Sequence, residues 1–128
     1  MQDRYAFDVG DFGKCGFLRA LARDGLSVGV IWYTFGDEQH NDDGKHVGYL
    51  EESTKNRRDF RSCDADLYDR LRRARSEGPR SIARLESSGA LPHGAITFAA
   101  RIETNARPER EAWFRQAREA VHGCDLVF

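Results

Sequence analysis

Cysteine is scarce in this chain, lysine is scarcer than arginine by a wide margin, and no long apolar run occurs. The three cysteines, Cys15, Cys63 and Cys124, are odd in number, far apart and in no CxxC pair, which argues against a disulfide framework and against a zinc knuckle. A reducing cytoplasm is the expected compartment. The opening MQDRYAFDVG has no apolar core of a signal peptide, and nowhere do the apolar residues reach the length of a membrane span, so neither is expected. Charge of one sign is lacking too: a net charge of -1 gives no global attraction to nucleic acid or to an anionic membrane, and any steering must be local. Of the 20 basic residues only Lys14, Lys45 and Lys55 are lysine. The arginine excess fits codon bias in a GC-rich genome, or a need for bidentate guanidinium groups.

What is present reads as one α/β domain over residues 1–128, long enough for a single core. Asp11 is a suitable N-cap, Phe12, Cys15, Leu18 and Ala22 recur at helical spacing, and Asp24-Gly25 supplies a stop, predicting a helix over 11–23. The following LSVGVIWYTF is the clearest strand, and its apolarity on both faces predicts a central position between helical layers. After the polar segment GDEQHNDDGKHVGYLEES, the spacing of Leu67, Leu71 and Ala74 predicts a helix over 64–76 with Asp64 as its cap, ended by Gly78 and Pro79. A short helix in RSIARLESSG stops at Gly89. GAITFAARI is a second strand. Pro108 opens a last helix with Trp113, Ala117, Ala120 and Val121 as its apolar stripe, Gly123 closes it, and DLVF is a third strand. This alternation predicts a three-layer α/β sandwich, with a small, mostly parallel sheet joined by right-handed crossovers.

The chemistry-bearing motifs fail in instructive ways. Gly10-Asp-Phe-Gly13-Lys14-Cys15 has two residues where a P-loop has four, and cysteine where the magnesium-binding hydroxyl belongs. The run is GxxGxxG rather than the dinucleotide GxGxxG. A helix N-terminus with a flanking lysine remains, which can hold an anion. The alternative is structural: Gly10 and Gly13 permit a tight turn, and Gly16 permits close helix packing. Gln39, Asn41, Asp43 and Gly44 resemble the start of a calcium loop, but Leu50 stands where its bidentate glutamate belongs. His40, His46 and nearby carboxylates offer a looser metal arrangement, and no metal ligand set is assigned. No G-x-S-x-G elbow occurs, and Cys15, at a helix start where a thiol pKa can fall, has no assignable base, so no catalytic residue is assigned.

Charge is segregated along the chain. Residues 35–54 hold six acids against Lys45, and residues 55–84 hold ten bases against five acids. The basic run suggests a phosphate-facing patch, a docking surface for an acidic protein, or a solvated face paired with the acidic segment.

Taken together, FDVGDFGK, LSVGVIWYTFGDEQHNDDGKHVGYLE, LYDRLRR, RSIARLESSGALPHGAITF and GCDLVF resemble uncharacterised prokaryotic proteins with a Rossmann-like, methyltransferase-like core. They more faintly resemble the bacterial enzymes that methylate a 23S ribosomal RNA adenine. The resemblance implies that VIWYTFGDE is the first cofactor strand and its loop, that Lys14 lies near the cofactor, and that DLVF leads into an acidic-proline catalytic motif. The sequence stops at Phe128 before such a motif, and TFGDE lacks the second glycine of a usual S-adenosylmethionine loop. A C-terminally truncated Rossmann-like fold without its catalytic motif is therefore expected to act as a binding module. In that reading it is a phage- or defence-related inhibitor that holds a macromolecule, a protein before nucleic acid, through Arg57, Arg58, Arg61, Arg72, Arg73, Asp42 and His46. An exposed apolar edge at DLVF would favour a homodimer. The alternative is an enzyme binding S-adenosylmethionine or a nucleotide through Lys14, Asp11, Asp37 and Asp43. A third reading, a metal-dependent nuclease, needs converging carboxylates.

Overall fold

The computed structural model describes residues 1–38, 44, 46–103 and 106–128. Helix α1 spans Val9–Arg23. It starts two residues before the expected boundary because Asp8, not Asp11, is the cap: the Asp8 carboxylate accepts from Gly10 N at 3.0 Å. Asp11 falls inside the first turn and accepts instead from the backbone N of Phe7 at 2.9 Å. Gly10, Gly13 and Gly16 all lie within the helix, so the tight-turn reading of Gly10 and Gly13 does not hold. The turn before the helix is made by Phe7, fully buried at a φ of 69°. A Cβ placed on Gly16 would lie 3.6 Å from Leu67 Cδ2, an ordinary contact, so close packing does not require glycine there either.

Helix α2, Thr54–Asn56, is capped by Ser53 and runs into a π-helical turn over Arg57–Arg61. This stretch carried no helical signal, since Phe60 is its single large apolar residue. Its ring packs at 6.1 Å from Phe12 and 5.2 Å from Tyr49, under a short 3-10 turn at Gly48–Leu50. Helix α3 occupies Ala65–Ser76, with the Asp64 side chain accepting from Leu67 N at 3.0 Å, as its spacing predicts. Helix α4 is confined to Ile82–Ser87 and capped by Ser81. Helix α5 runs Arg107–Ala120 with Pro108 in its first turn.

Three parallel strands, β1 (Val28–Ile31), β2 (Ile96–Phe98) and β3 (Leu126–Val127), form one sheet in the order β2-β1-β3. The strand in LSVGVIWYTF is central, as expected, but its regular part is trimmed to four residues because its neighbours offer only three and two. An isolated parallel bridge between Thr34 and Arg101 continues the contact. Val28, Val30 and Trp32 join a core with Leu18 of α1, Leu67 and Leu71 of α3 and Leu85 of α4. On the opposite face Ile31 packs with Ile102, Trp113 and Ala117. There a Cβ on Gly29 would sit 2.8 Å from Val121 Cβ, so the approach of the chain after α5 requires glycine. Helices thus cover both faces of a small parallel sheet in a mixed α/β chain.

Candidate functional site

The carboxyl end of β1 collects four of the polar residues singled out from sequence, Asp11, Lys14, Asp37 and His46. Beyond Ile31 the chain stays extended, and residues 1–5 are stitched alongside it. Phe35 N donates to Met1 O at 2.9 Å, the Met1 amine donates to Tyr33 O, and Glu38 N donates to the Gln2 side chain at 3.3 Å. Asp8 closes the other wall by accepting from His46 N at 3.2 Å, while Val9 N donates to His46 O at 3.0 Å. Arg80, its guanidinium pKa lowered chiefly by burial, donates to Gly44 O. These ties frame a cleft of about 390 Å³ lined by Met1, Tyr5, Asp8, Gly10, Asp11, Lys14 and Gly44.

Two carboxylates, the Lys14 ammonium and the Met1 amine give the cleft its chemistry. Lys14 Nζ lies 3.7 Å from Asp11 Oδ1, with the lysine side chain half exposed and the aspartate nearly inaccessible. Burial pushes the Asp11 pKa up, against the pull of Lys14 and of the bond from Phe7. The hydroxyl of Tyr49, raised in pKa by its own burial and by Asp11, is buried with no hydrogen-bond partner among the described residues. Cys15 is raised by burial to about 12 and is therefore an inert thiol, contrary to the lowered pKa considered for a helix start. The anion cradle also fails. Gly10 N is engaged by Asp8 and Phe7 N by Asp11, so a phosphate approaching this helix end would meet two carboxylates.

Of the residues assigned to a ligand, Lys14 and Asp11 are brought together. Asp37 stands at the same end of the sheet, exposed, with its carboxylate 3.4 Å from Arg4 N, but does not line the cleft. Asp42 and Asp43, like most of the calcium-like segment, lie outside the described residues. His46 takes part through its backbone.

The basic surface is largely internal in its pairing. Arg57 and Arg72 both engage Glu52, the latter at 2.6 Å, and hold its pKa below the usual carboxylate range. Arg58 pairs with Asp59 at 2.7 Å and Arg61 with Asp69 at 2.8 Å. Arg73 alone of the five makes no ion pair among the described residues. The pairing of this run with the acidic segment is thus realised at Glu52, a single carboxylate that Arg57 and Arg72 share.

A larger cleft, about 630 Å³, opens at the opposite end, between the last turns of α1 and the chain leading into β2. Its central guanidiniums are already engaged. Arg19 donates to Asp66 at 2.5 Å and to Gly89 O at 3.2 Å, and Arg70 donates to Asp66 at 2.7 Å. The two arginines, Arg70 foremost, hold the Asp66 pKa down at about 2. This cluster fastens α1, α3 and the Gly89 turn together.

Sequence reasoning missed one surface feature. Phe114, next to the buried Trp113, is 55% exposed on α5, and Tyr33 is 41% exposed beside it. The signal was available: Phe114 falls outside the Trp113–Ala117–Val121 stripe. Among the described residues no three His, Cys, Asp or Glu side chains converge as metal ligands, and no helix is long and apolar enough to cross a membrane. Comparison with family models, with curated proteins and with solved structures returns no match, so the function has to be argued from these residues themselves.

Proposed function

We propose that the chain is a Rossmann-like ligand-binding domain whose cleft at the carboxyl end of β1 takes a zwitterionic nucleoside-type molecule, with S-adenosylmethionine as the candidate. One observation carries this reading: Asp8, Asp11 and Lys14 line a cleft at the first turn of α1, on the carboxyl-end side of a parallel sheet whose two crossovers part to opposite faces. The connection from β1 to β2, through α3 and α4, belongs to the Val30 face, and the connection from β2 to β3, through α5, belongs to the Ile31 face. In open parallel sheets, ligands settle outside the carboxyl ends of the strands at such a switch point.

The donor set narrows the ligand class. Asp8 favours a cationic centre and hydroxyl donors, Lys14, held beside the buried Asp11, favours a carboxylate, and the engaged helix amides disfavour a polyphosphate. S-adenosylmethionine carries a sulfonium, an ammonium, a carboxylate and ribose hydroxyls, and fits that set. When bound it would supply a transferable methyl group. The residues of this chain would orient it: Lys14 at the carboxylate and Asp8 at the cationic side.

A thermal-shift panel tests the assignment. S-adenosylmethionine and S-adenosylhomocysteine at a hundred times their dissociation constants should each add about 2.7 kcal/mol of stability, while ATP and magnesium leave the protein unchanged. Stabilisation by ATP alone, or by none of them, would remove the reading.

A further inference from the structure

The outer face of α5 combines exposed aromatic rings with three arginines that no carboxylate holds among the described residues. Trp113 anchors the helix to the sheet: its Nε1 donates to Ala100 O at 2.7 Å, and its ring meets Phe98 at 5.4 Å. That anchoring turns the next residue, Phe114, outward. Tyr33, just beyond β1, is held edge-on against Trp113 at 5.0 Å and against Phe35 at 4.8 Å, so its exposed ring is fixed in place before any ligand arrives. Arg110, Phe114 and Arg118 are spaced four residues apart, which puts them in one stripe with the two arginines about 12 Å apart along the axis. Arg110, Arg115 and Arg118 are exposed and make no ion pair among the described residues. Arg107 is bound to Glu111 at 2.7 Å, and Glu119 is the remaining acid at this face.

The grooves on either side of Phe114 identify the occupant. One is lined by Tyr33, Arg107, Arg110, Glu111, Trp113 and Phe114, the other by Glu111, Phe114, Arg115, Arg118, Glu119 and His122. Both are walled by rings and guanidiniums, with Glu111 and Glu119 as their acids and no aliphatic side chain in the lining. Planar rings with cations before and after them are the elements of a stacking platform for unpaired bases, whose phosphates the arginines meet.

We infer that the Tyr33–Phe114 face of α5 binds single-stranded nucleic acid by stacking and phosphate contact, without base-specific readout. The inference does not rest on the ligand proposed for the β1 cleft, since the two surfaces share no lining residue. Fluorescence anisotropy with labelled oligo(dT) and oligo(U) at low salt tests it, the two strands distinguishing DNA from RNA as the source. Saturable binding is expected. Phe114→Ala should weaken it about fivefold or more, in line with the loss of one base stack. Arg110→Ala with Arg118→Ala should lower the slope of log affinity against log salt by about 1.4, in line with two lost phosphate contacts. Arg58→Ala with Arg73→Ala, away from this face, should leave both unchanged. Circular dichroism checks that each variant is folded. No saturable binding of either strand would overturn the inference, as would unchanged binding by folded Phe114→Ala. A dimer in sedimentation that Phe114→Ala dissociates would also overturn it, because a second copy would then cover this face.

Discussion

Asp11 is the residue on which the structure of the cleft turns. Its carboxylate is almost wholly buried, accepts the backbone N–H of Phe7, and keeps that residue in a left-handed conformation that a non-glycine side chain rarely adopts. Asp11→Ala should therefore cost about 1–3 kcal/mol, by leaving a buried donor without an acceptor. Asp11→Asn keeps a side-chain oxygen and should cost less. The pH dependence separates charge from geometry. Burial raises the folded-state pKa of Asp11, so the folded protein holds this proton more tightly than the unfolded chain does. Its contribution makes the protein less stable as pH rises from the ordinary aspartate value through the raised one. Other carboxylates act oppositely: Asp66 and Asp69, lowered by their arginines, lose stabilisation as pH falls. The wild-type-minus-Asp11→Asn difference in unfolding free energy should thus decline with rising pH across that window. A flat difference, measured by urea titration at several pH values, would show that Asp11 is not destabilised as an anion.

Among the elements, Gly29 in β1 makes the most specific prediction. Gly29→Ala would press a methyl into Val121 and should destabilise by about 1–3 kcal/mol through overpacking. An unchanged melting temperature would mean that the chain after α5 is not seated as described. Loss of the α3 cap by Asp64→Ala should cost about 1 kcal/mol, again read by denaturant titration. These elements differ in how far the sequence exposes them. Helix α3 is legible because one cap residue precedes an uninterrupted spacing of Leu67, Leu71 and Ala74. The start of α1 is not, because Asp8 and Asp11 are equally good caps three residues apart, and only the position of Phe7 decides between them. Strand β1 is legible in place but not in length, since neighbouring strands set how far it pairs. Helix α2 and its π-helical turn are polar at nearly every position and carry no periodic signal at all. Lys14 and Asp11 could be named from sequence because local spacing puts them one helical turn apart. The exposure of Phe114 is legible in the same way, but its pairing with Tyr33 is not, because it joins residues 81 positions apart through packing on Trp113.

At the scale of the whole molecule, the arrangement separates structural charge from charge left available. On the α2–α3 side, carboxylates hold most of the guanidiniums: Glu52 takes two, and Asp59 and Asp69 one each. Exposed pairs of this kind contribute little and are screened by salt. Glu52→Gln should accordingly leave the melting temperature nearly unchanged, and a large drop that persists at high salt would contradict that. In the β1 cleft and on the α5 face, ammonium and guanidinium groups remain accessible, as Arg73 does on α3. Isothermal titration of S-adenosylmethionine into the wild-type protein and into Lys14→Ala shows whether the β1 cleft holds that ligand. Saturable one-to-one binding by the wild type is expected, with about tenfold or weaker binding by the variant, as when a charge-assisted contact worth about 1.5–3 kcal/mol is lost. No binding by the wild type, or equal affinity in a folded Lys14→Ala protein, would contradict it.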